Sequence, residues 1–507
     1  MNGSITSAAV IDDERSAAIS VSRDQAPAED WLVQRTAKAL PLAVDLDGTL
    51  IKTDMLVESI FALLRRNPLY LFCMPLWLTR GKAYFKRQVS LRVELDIETL
   101  PYNSEVLDYL RTERSRGRRI VLATGTDEEI AQKIAEHLQL FDRVIASDGL
   151  INLSGATKRE RLKAEFGEKG FDYAGDAPCD LAVWSSAQHA IPVNCTERLV
   201  SRVSNVTEVD RVFHRVGNRA MQFLKALRPH HWLKNLLVFA PLFSVHAFDD
   251  PYMAAYACLA FVAFSLCASS VYLMNDMADI SADRRHPRKR LRTFAAGELS
   301  LKLGSGSIPL LLMLSLLVGS FLPRPFLGML VLYFFLNLGY SFAFKRIVLL
   351  DVIVLAGLYT MRIMAGCAAI STWPSSWLLA FSTFLFLSLA LVKRYAELVI
   401  TGAEANVAEV RGYRVMDREL LAAMGSGSGY VAVLVLAIYI SAGIAEIHYE
   451  RYQLVWLLCP LLLYWISYMW LVAHRGAMHD DPLVFTMRDK VTRIVVAIAV
   501  IVLIVAR

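Results

Sequence analysis

The chain has 507 residues, of which 55% are hydrophobic and only 20% charged, with a mean hydropathy of +0.39, too apolar for an ordinary soluble enzyme. Its formal charge of +6 is uneven, with 29 Lys and Arg against 31 Asp and Glu up to residue 220, and 25 against 17 after it. Basic residues set between apolar runs exclude a nucleic-acid-binding face and predict a membrane protein with one basic side.

In chain order, residues 1–39 lack a basic start followed by an apolar core, which predicts a disordered tail and a cytosolic N-terminus, not a signal peptide. From 40 to 195, β-rich runs such as LAVDL and RRIVLAT alternate with helical stretches such as DEEIAQKIAEHLQL, the pattern of an α/β domain. Residues 196–227 are polar and helix-compatible and are expected to connect this unit to a helical membrane bundle over 228–507. Nine apolar runs there approach the length of a bilayer span, at 232–248, 252–274, 303–322, 325–341, 347–370, 376–392, 428–446, 453–473 and 492–506, the first interrupted by Lys234. With a cytosolic N-terminus, 18 Lys and Arg fall at the cytosolic ends and loops, against Arg324 and Arg451 opposite. The positive-inside rule then places the C-terminus outside an inner membrane crossed many times. The seven cysteines are scattered, without metal spacing, and read as small apolar residues.

The α/β region carries four elements with chemistry. Asp45 and Asp47 stand two residues apart at the end of the strand LAV, a spacing that suits one nucleophile and one acid/base group. IVLAT ends in Thr124 and runs into GTDEE, a helix start that offers a hydroxyl and free N–H groups to an anion. TKRERLKAEF sets Lys158 at another helix start, and FDYAGDAPCD brings Asp176 and Asp180 to a strand end. In this order, over about residues 40–190, the four elements resemble the haloacid-dehalogenase superfamily. The resemblance implies a Rossmann-like α/β phosphatase with a helical cap. Asp45 would attack phosphorus; Asp47 would protonate the leaving oxygen and later activate water. Mg²⁺ would sit on Asp45, Asp176 and the backbone carbonyl of Asp47, Thr124 and Lys158 would hold phosphoryl oxygens, and Asp180 would orient the metal shell or the lysine. Lys163 is the lesser alternative to Lys158. A cation is required because a carboxylate and an anionic phosphate repel.

Between the first two elements, residues 69–78 (LYLFCMPLWL), flanked by Arg65, Arg66, Arg80 and Lys82, are too short to span. They read either as the buried core of a cap or as an interfacial segment with its basic flanks on anionic headgroups.

In the apolar half, Asn275, Asp276, Asp279 and Asp283 end the second run, and on a helix the three carboxylates share one face. Their mutual repulsion calls for a cation, and hard oxygen ligands suit Mg²⁺ carrying a diphosphate. HPRKRLR follows at once, with Arg288, Lys289, Arg290 and Arg292 as anion contacts. NDMADISAD, with RPHHWLKNLLVFAPL before it, resembles the UbiA-like intramembrane transferases over about 222–507. Where aromatic prenyltransferases of that superfamily carry a second carboxylate motif, DVIVLAGLYTMRIMAG offers only Asp351 and then Arg362, which argues against a prenyl diphosphate donor. With YSFAFK, YTMRIMAG and KRYAEL, the chain resembles the decaprenyl-phosphate phosphoribosyltransferase branch. That resemblance implies phosphoribosyl pyrophosphate as donor and polyprenyl phosphate as acceptor. Lys234, Lys289, Arg290, Arg292, Arg362, Lys393 and Arg394 would offset phosphate charge, and Tyr340 and Lys345 are candidates for the ribose phosphate. An arginine inside a span costs about 2.5–3.5 kcal/mol, so Arg362 is either functional or paired with Asp351.

The transferase product would carry a ribose 5-phosphate beside a phosphatase-like domain, so a bifunctional enzyme making polyprenyl-phosphoryl ribose, a precursor of arabinose donors for envelope glycans, is the expected reading. Two others stay open: an aromatic prenyltransferase using a polyprenyl diphosphate, and a lipid-binding or transport protein with an inactive soluble domain.

Overall fold

The computed structural model describes residues 40–507 except 215–216, 246, 248, 404–408, 411, 448 and 479–480; the tail expected at 1–39 lies outside the described residues. The soluble half is built on a parallel sheet of six strands, β1 (Leu42–Val44), β2 (Ile120–Asp127), β3 (Arg143–Ser147), β4 (Asp172–Gly175), β5 (His189–Pro192) and β6 (Glu208–Val209), in the order β3-β2-β1-β4-β5-β6. β1 is three apolar residues without exposed surface, as befits a strand covered on both faces. Val44 pairs in register with Leu122 and Ala174. The carboxyl ends of β1, β2 and β4 therefore finish at one edge, where open α/β sheets place ligands.

Three cap helices, α1 (Met55–Arg66), α2 (Tyr70–Thr79) and α3 (Lys82–Ser90), are inserted after β1. The sheet is then covered by α4 (Ser104–Ser115), α5 (Glu128–Leu138), α6 (Ala156–Phe166), α7 (Leu181–Trp184) and α8 (Glu197–Ser204). α2 has no buried residue; Phe72 is 79% and Leu76 64% exposed. It does not form the core of the cap, which removes one of the two readings of residues 69–78.

The α/β unit does not end at 195. α8 buries Leu199 and Val203, β6 pairs with β5, and Val193 bridges to Phe213, so the expected connector belongs to the sheet domain as far as Phe213. Only α9 (Arg219–Ala226) leans on the helical half, through Phe223 and Ala226.

In the helical half, seven helices among the described residues are long and apolar enough to cross a bilayer. They are α10 (Pro251–Ala278), α12 (Leu301–Gly319), α13 (Arg324–Phe342), α14 (Leu350–Ala369), α15 (Ser376–Ala403), α16 (Arg418–Ser441) and α17 (Leu458–His474, extended by a 3₁₀ segment from Tyr452). α11 (Ile280–Arg285), α18 (Pro482–Arg488) and α19 (Lys490–Ala506) are shorter. Two of the nine expected runs thus fall short. As far as Ser244, the run at 232–248 is taken up by a 3₁₀ helix, Pro229–Phe239, entered from Arg228 in the left-handed region and followed by the short helix Ala240–Ser244; the last run is the 17-residue α19.

The halves are packed together. Val57 and Phe61 of α1 lie against a cluster containing Leu273, Met277 and Phe294. Glu58, buried, accepts both Arg284 terminal nitrogens at 2.6 and 3.0 Å. Arg285 pairs with Asp96 at 2.7 Å and Lys302 with Asp54 at 2.7 Å. Gly297, at φ +69°, lies so close to Lys52 and Pro101 that a Cβ would stand 2.6 Å from Lys52 Cβ, a contact only glycine allows.

Candidate active sites

β1 delivers Asp45 to the sheet edge and the chain turns at once. Gly48 takes φ +78°, and a Cβ there would stand 2.0 Å from Asp176 Oδ2, so glycine lets this turn close over the end of β4. Asp45 Oδ1 accepts the Leu46 N–H at 2.8 Å, and its Oδ2 lies 2.8 Å from Lys158 Nζ. Lys158 also donates to the Tyr173 hydroxyl at 2.8 Å and lies 3.9 Å from Asp180. Burial pulls the lysine's pKa down, but the Asp45 and Asp180 charges outweigh it and raise it, so it stays an ammonium. Asp47 accepts the Met55 N–H at 2.8 Å and the Thr126 hydroxyl at 2.7 Å. Burial, then the Asp54 and Asp45 charges, push Asp47 up to about 7, so it carries a proton near neutrality. Burial and the neighbouring Asp45 and Asp180 push Asp176 up to about 8. Oxygens of Asp45, Asp176 and Asp180 lie within 4.8 Å of one another. Hard oxygen donors converging on desolvated negative charge fit Mg²⁺.

Above these groups is a cavity of about 810 Å³. One wall is the cap, with Lys82, Phe85 and Lys86; another is the segment Gly297–Leu303 of the helical half. Lys86 Nζ donates to Gly125 O at 2.5 Å and Asn152 Oδ1 at 2.7 Å. Thr126, not Thr124, lines this cavity: Thr124 is fully buried and its hydroxyl accepts the Thr126 N–H at 3.1 Å. Lys163 is at the surface with Glu168 at 2.9 Å, which leaves Lys158 as the lysine of the site.

In the helical half, the stretch holding Asn275, Asp276, Asp279 and Asp283 is not one helix. α10 ends at Ala278, Asp279 is the hinge, and α11 begins at Ile280. Asp276 is held by Arg228 at 2.5 Å and Arg292 at 3.3 Å; Asp283 by Arg292 at 2.6 Å; Asp279 by Lys345 at 3.4 Å and Arg65 at 3.5 Å. Burial outweighs Arg292 and raises Asp283. The expected metal ligands therefore do not converge as they stand; cations of the chain compensate them. Arg288, Lys289 and Arg290 are exposed beside them.

A second polar cluster lies deeper. Asp481 accepts from Lys234 at 2.7 Å and Lys393 at 3.0 Å, with the Tyr359 hydroxyl at 3.4 Å. Burial works against ionising Asp481, but Lys234 and Lys393 hold its carboxyl far below the usual range. Arg362 donates to Asn235 Oδ1 at 2.9 Å, to the Tyr333 hydroxyl at 2.7 Å and to Leu358 O. It does not pair with Asp351. Asp351 is taken by Arg394 and by the Tyr413 hydroxyl, while Arg394 also meets Glu397 at 2.6 Å and the Tyr340 hydroxyl at 2.8 Å. Arg394 and Tyr340 thus tie helices together.

Residues 236–504 match the model of the UbiA prenyltransferase family, more than half of the chain. The chain belongs to that family. Residues 42–183 match the haloacid dehalogenase-like hydrolases, so a hydrolase-like domain is fused before the UbiA domain. An uncharacterized protein of Sinorhizobium fredii is 35% identical over 460 residues, 89% of this chain and 88% of the relative. The decaprenyl-phosphate phosphoribosyltransferase of Mycobacterium tuberculosis is 30% identical over 285 residues, 55% of this chain and 91% of the relative. Among solved structures, a UbiA homolog from Archaeoglobus fulgidus bound to GPP and Mg²⁺ covers 56% of this chain and 99% of its own, at 17% identity and a TM-score of 0.43.

Within the UbiA domain, Asp481 and Arg228 escaped the sequence reading, and so did Thr126, Lys86 and Asp54 at the hydrolase site. Arg228 and Asp481 are far from their partners in sequence. Thr126 had a signal, the hydroxyl in GTDEE next to the residue chosen.

Proposed function

We propose that this UbiA-family enzyme transfers 5-phosphoribosyl from phosphoribosyl pyrophosphate to a polyprenyl phosphate, and that its hydrolase-like domain removes the 5-phosphate to leave polyprenyl-phosphoryl ribose. In that role its product is a precursor of arabinose donors for envelope glycans. The loop charges favour an inner-membrane protein with both sites cytosolic; the C-terminus lies outside provided that the short segments 229–244 and α19 also cross. A named phosphoribosyltransferase at 30% identity supports the first reaction.

The observation that carries the coupling is the cavity wall. The stretch from Asn275 to Arg292, where the carboxylates and their arginines lie, runs within a few residues into Gly297–Leu303, which closes the cavity over Asp45. A product released at the first site thus emerges beside the second, and the tether raises its effective concentration without a new contact.

In the transfer, an acceptor phosphate oxygen attacks ribose C1, the C1–O bond to pyrophosphate breaks, and pyrophosphate leaves with that bond's electron pair. Arg228, Arg292 and Lys345, now paired with Asp276, Asp283 and Asp279, stand ready to stabilise charge on the donor.

In the hydrolysis, Asp45 Oδ attacks phosphorus and forms an aspartyl-phosphate, while Asp47 gives its proton to the leaving ribose oxygen. Asp47, then ionised, takes a proton from the water that opens the acyl-phosphate. Lys158 and the Thr126 hydroxyl, beside Asp45 and Asp47, would hold phosphoryl oxygens. Asp45, Asp176, Asp180 and the Asp47 carbonyl would hold Mg²⁺, which when bound neutralises the phosphate so that a carboxylate can approach it.

The test gives purified protein both substrates with Mg²⁺ and follows lipid product and free phosphate. Wild type should release one phosphate per lipid ribose formed, and Asp45→Asn should accumulate the phosphorylated lipid. A phosphorylated product that persists with Asp45 intact refutes the coupled reaction.

A further inference from the structure

The cluster around Asp481 contains more positive charge than it compensates. Among the described residues, Lys234, Lys393 and Arg362 are three cations against one carboxylate. They form one group, since Lys234 Nζ and Arg362 Cζ lie 5.6 and 5.5 Å from the same Tyr359 ring. Arg362 is buried, and the groups it donates to, Asn235 Oδ1, Leu358 O and the Tyr333 hydroxyl, are all neutral. Positive charge that the described residues leave without a carboxylate, set in a membrane domain, is ordinarily retained for a ligand. A second observation points the same way: Nδ1 of His231, three residues before Lys234, is buried without a hydrogen-bond partner among the described residues, a rare state for a polar atom. The His231 ring lies 5.2 Å from that of Tyr272, and Arg228, the partner of Asp276, lies 6.0 Å from the same ring, so the cluster borders the Asp276 site. Lys393 keeps a quarter of its side-chain surface accessible, which leaves an approach.

We propose that Lys234, Lys393 and Arg362 form the site for the acceptor's phosphomonoester dianion, and that Asp481 is a placeholder carboxylate occupying the two lysines until the phosphate displaces it. The site assignment rests on the proposed transfer, and it divides the cations: Arg228, Arg292 and Lys345 face the donor, the Asp481 group faces the acceptor. A dianion matches the two surplus charges, and the Asp481 carboxylate already shows where an oxyanion sits between the lysines. Asp481 is a positioning residue, and its removal should favour the phosphate.

The test uses the full chain in nanodiscs, with farnesyl phosphate as a short acceptor, farnesol and inorganic phosphate as controls, and phosphoribosyl pyrophosphate as donor. Lys234→Gln and Lys393→Gln should each raise the acceptor KM and the farnesyl phosphate Kd at least tenfold, with donor KM changed less than twofold; Lys393→Arg should recover most of the loss. Asp481→Asn should tighten farnesyl phosphate. Binding of inorganic phosphate as tight as farnesyl phosphate would mean a site for free anion and overturn the acceptor assignment. The proposal is also overturned if the lysine variants move donor KM instead, or if Asp481→Asn weakens the acceptor as much as they do. Farnesyl phosphate bound through these lysines with no phosphoribosyl transfer would sink the transfer reading and leave the site standing.

Discussion

The Glu58–Arg284 pair is the sharpest test of how the two halves are held. Glu58 is 2% exposed and meets both terminal nitrogens of Arg284; Thr53 Oγ1 donates to it at 3.2 Å, and Arg284 Nε donates to Ala295 O at 3.1 Å. Both groups are desolvated and bidentate, and truncating one partner of such a pair leaves a buried charge at a cost of about 3–5 kcal/mol. Glu58→Ala should therefore weaken docking by a factor of about 10² to 4 × 10³. Hydrogen exchange in α1 and residues 293–299 reads it directly, since opening of the interface should rise by that factor while β1 and β2 stay protected. Glu58→Leu with Arg284→Met should recover most of the loss, because no charge is then stranded. If Glu58→Ala raises exchange by less than fivefold, or the double variant is no better than the single, the pair does not hold the interface.

Other predictions follow from the same geometry. Asp176, pushed up to about 8 by burial and its acidic neighbours, is mostly protonated below that pH, so a metal must displace its proton. Mg²⁺ affinity of the soluble site should fall about tenfold per unit as pH drops from 8 to 6, and a pH-independent Kd by calorimetry would count against this. Asp276→Ala strands Arg228 and leaves Arg292 with Asp283 alone, and it should cut phosphoribosyl transfer at least a hundredfold while a soluble phosphomonoester is still hydrolysed; equal loss of both activities would contradict the division of labour. Phe72→Ser with Leu76→Ser on α2 should slow dephosphorylation of the lipid substrate severalfold but not that of ribose 5-phosphate. In the unaltered helix, a nitroxide on the exposed Cys73, with the other cysteines replaced, should be more accessible to oxygen than to a water-soluble nickel chelate. The reverse ratio would place α2 in water.

What the sequence revealed depended on whether the chemistry was contiguous. Asp45 and Asp47 were readable because a three-residue apolar strand feeds DLDGT directly, and Lys158 because it opens a helix. Thr124 closes the apolar run IVLAT and so reads as the strand's last residue, but β2 runs on to Asp127 and it is Thr126 that lines the cavity. The register between Ala123 and Asp127 shifts against β3, and a local irregularity of this kind changes which residue faces the cavity. Asp481 stands 247 positions from Lys234, and no local pattern announces such a pair. The run at 232–248 was apolar enough for a span, but hydropathy does not record that Arg228 enters it in the left-handed region or that 3₁₀ turns take its place. ERLVSRVS reads as a polar linker because only Leu199 and Val203 of it reach the sheet.

The uneven charge of the chain acquires a structural meaning from these contacts. Three of the ion pairs joining the halves set a soluble-half carboxylate against a helical-half cation: Glu58 with Arg284, Asp96 with Arg285, and Asp54 with Lys302. Arg65 with Asp279 runs the other way. Exposed pairs of this type contribute little on their own, so Asp96–Arg285 is better understood as orienting the interface than as holding it. Lys302 is different in consequence, because its partner Asp54 is one of the charges that raise Asp47. A cation from the membrane half therefore bears on the acid of the soluble site. If it were removed, Asp54 would act on Asp47 unopposed, and the alkaline arm of the phosphatase pH profile, where Asp47 loses the proton it must donate, should move upward in Lys302→Ala. An unchanged profile would mean that the halves share a wall but not their electrostatics.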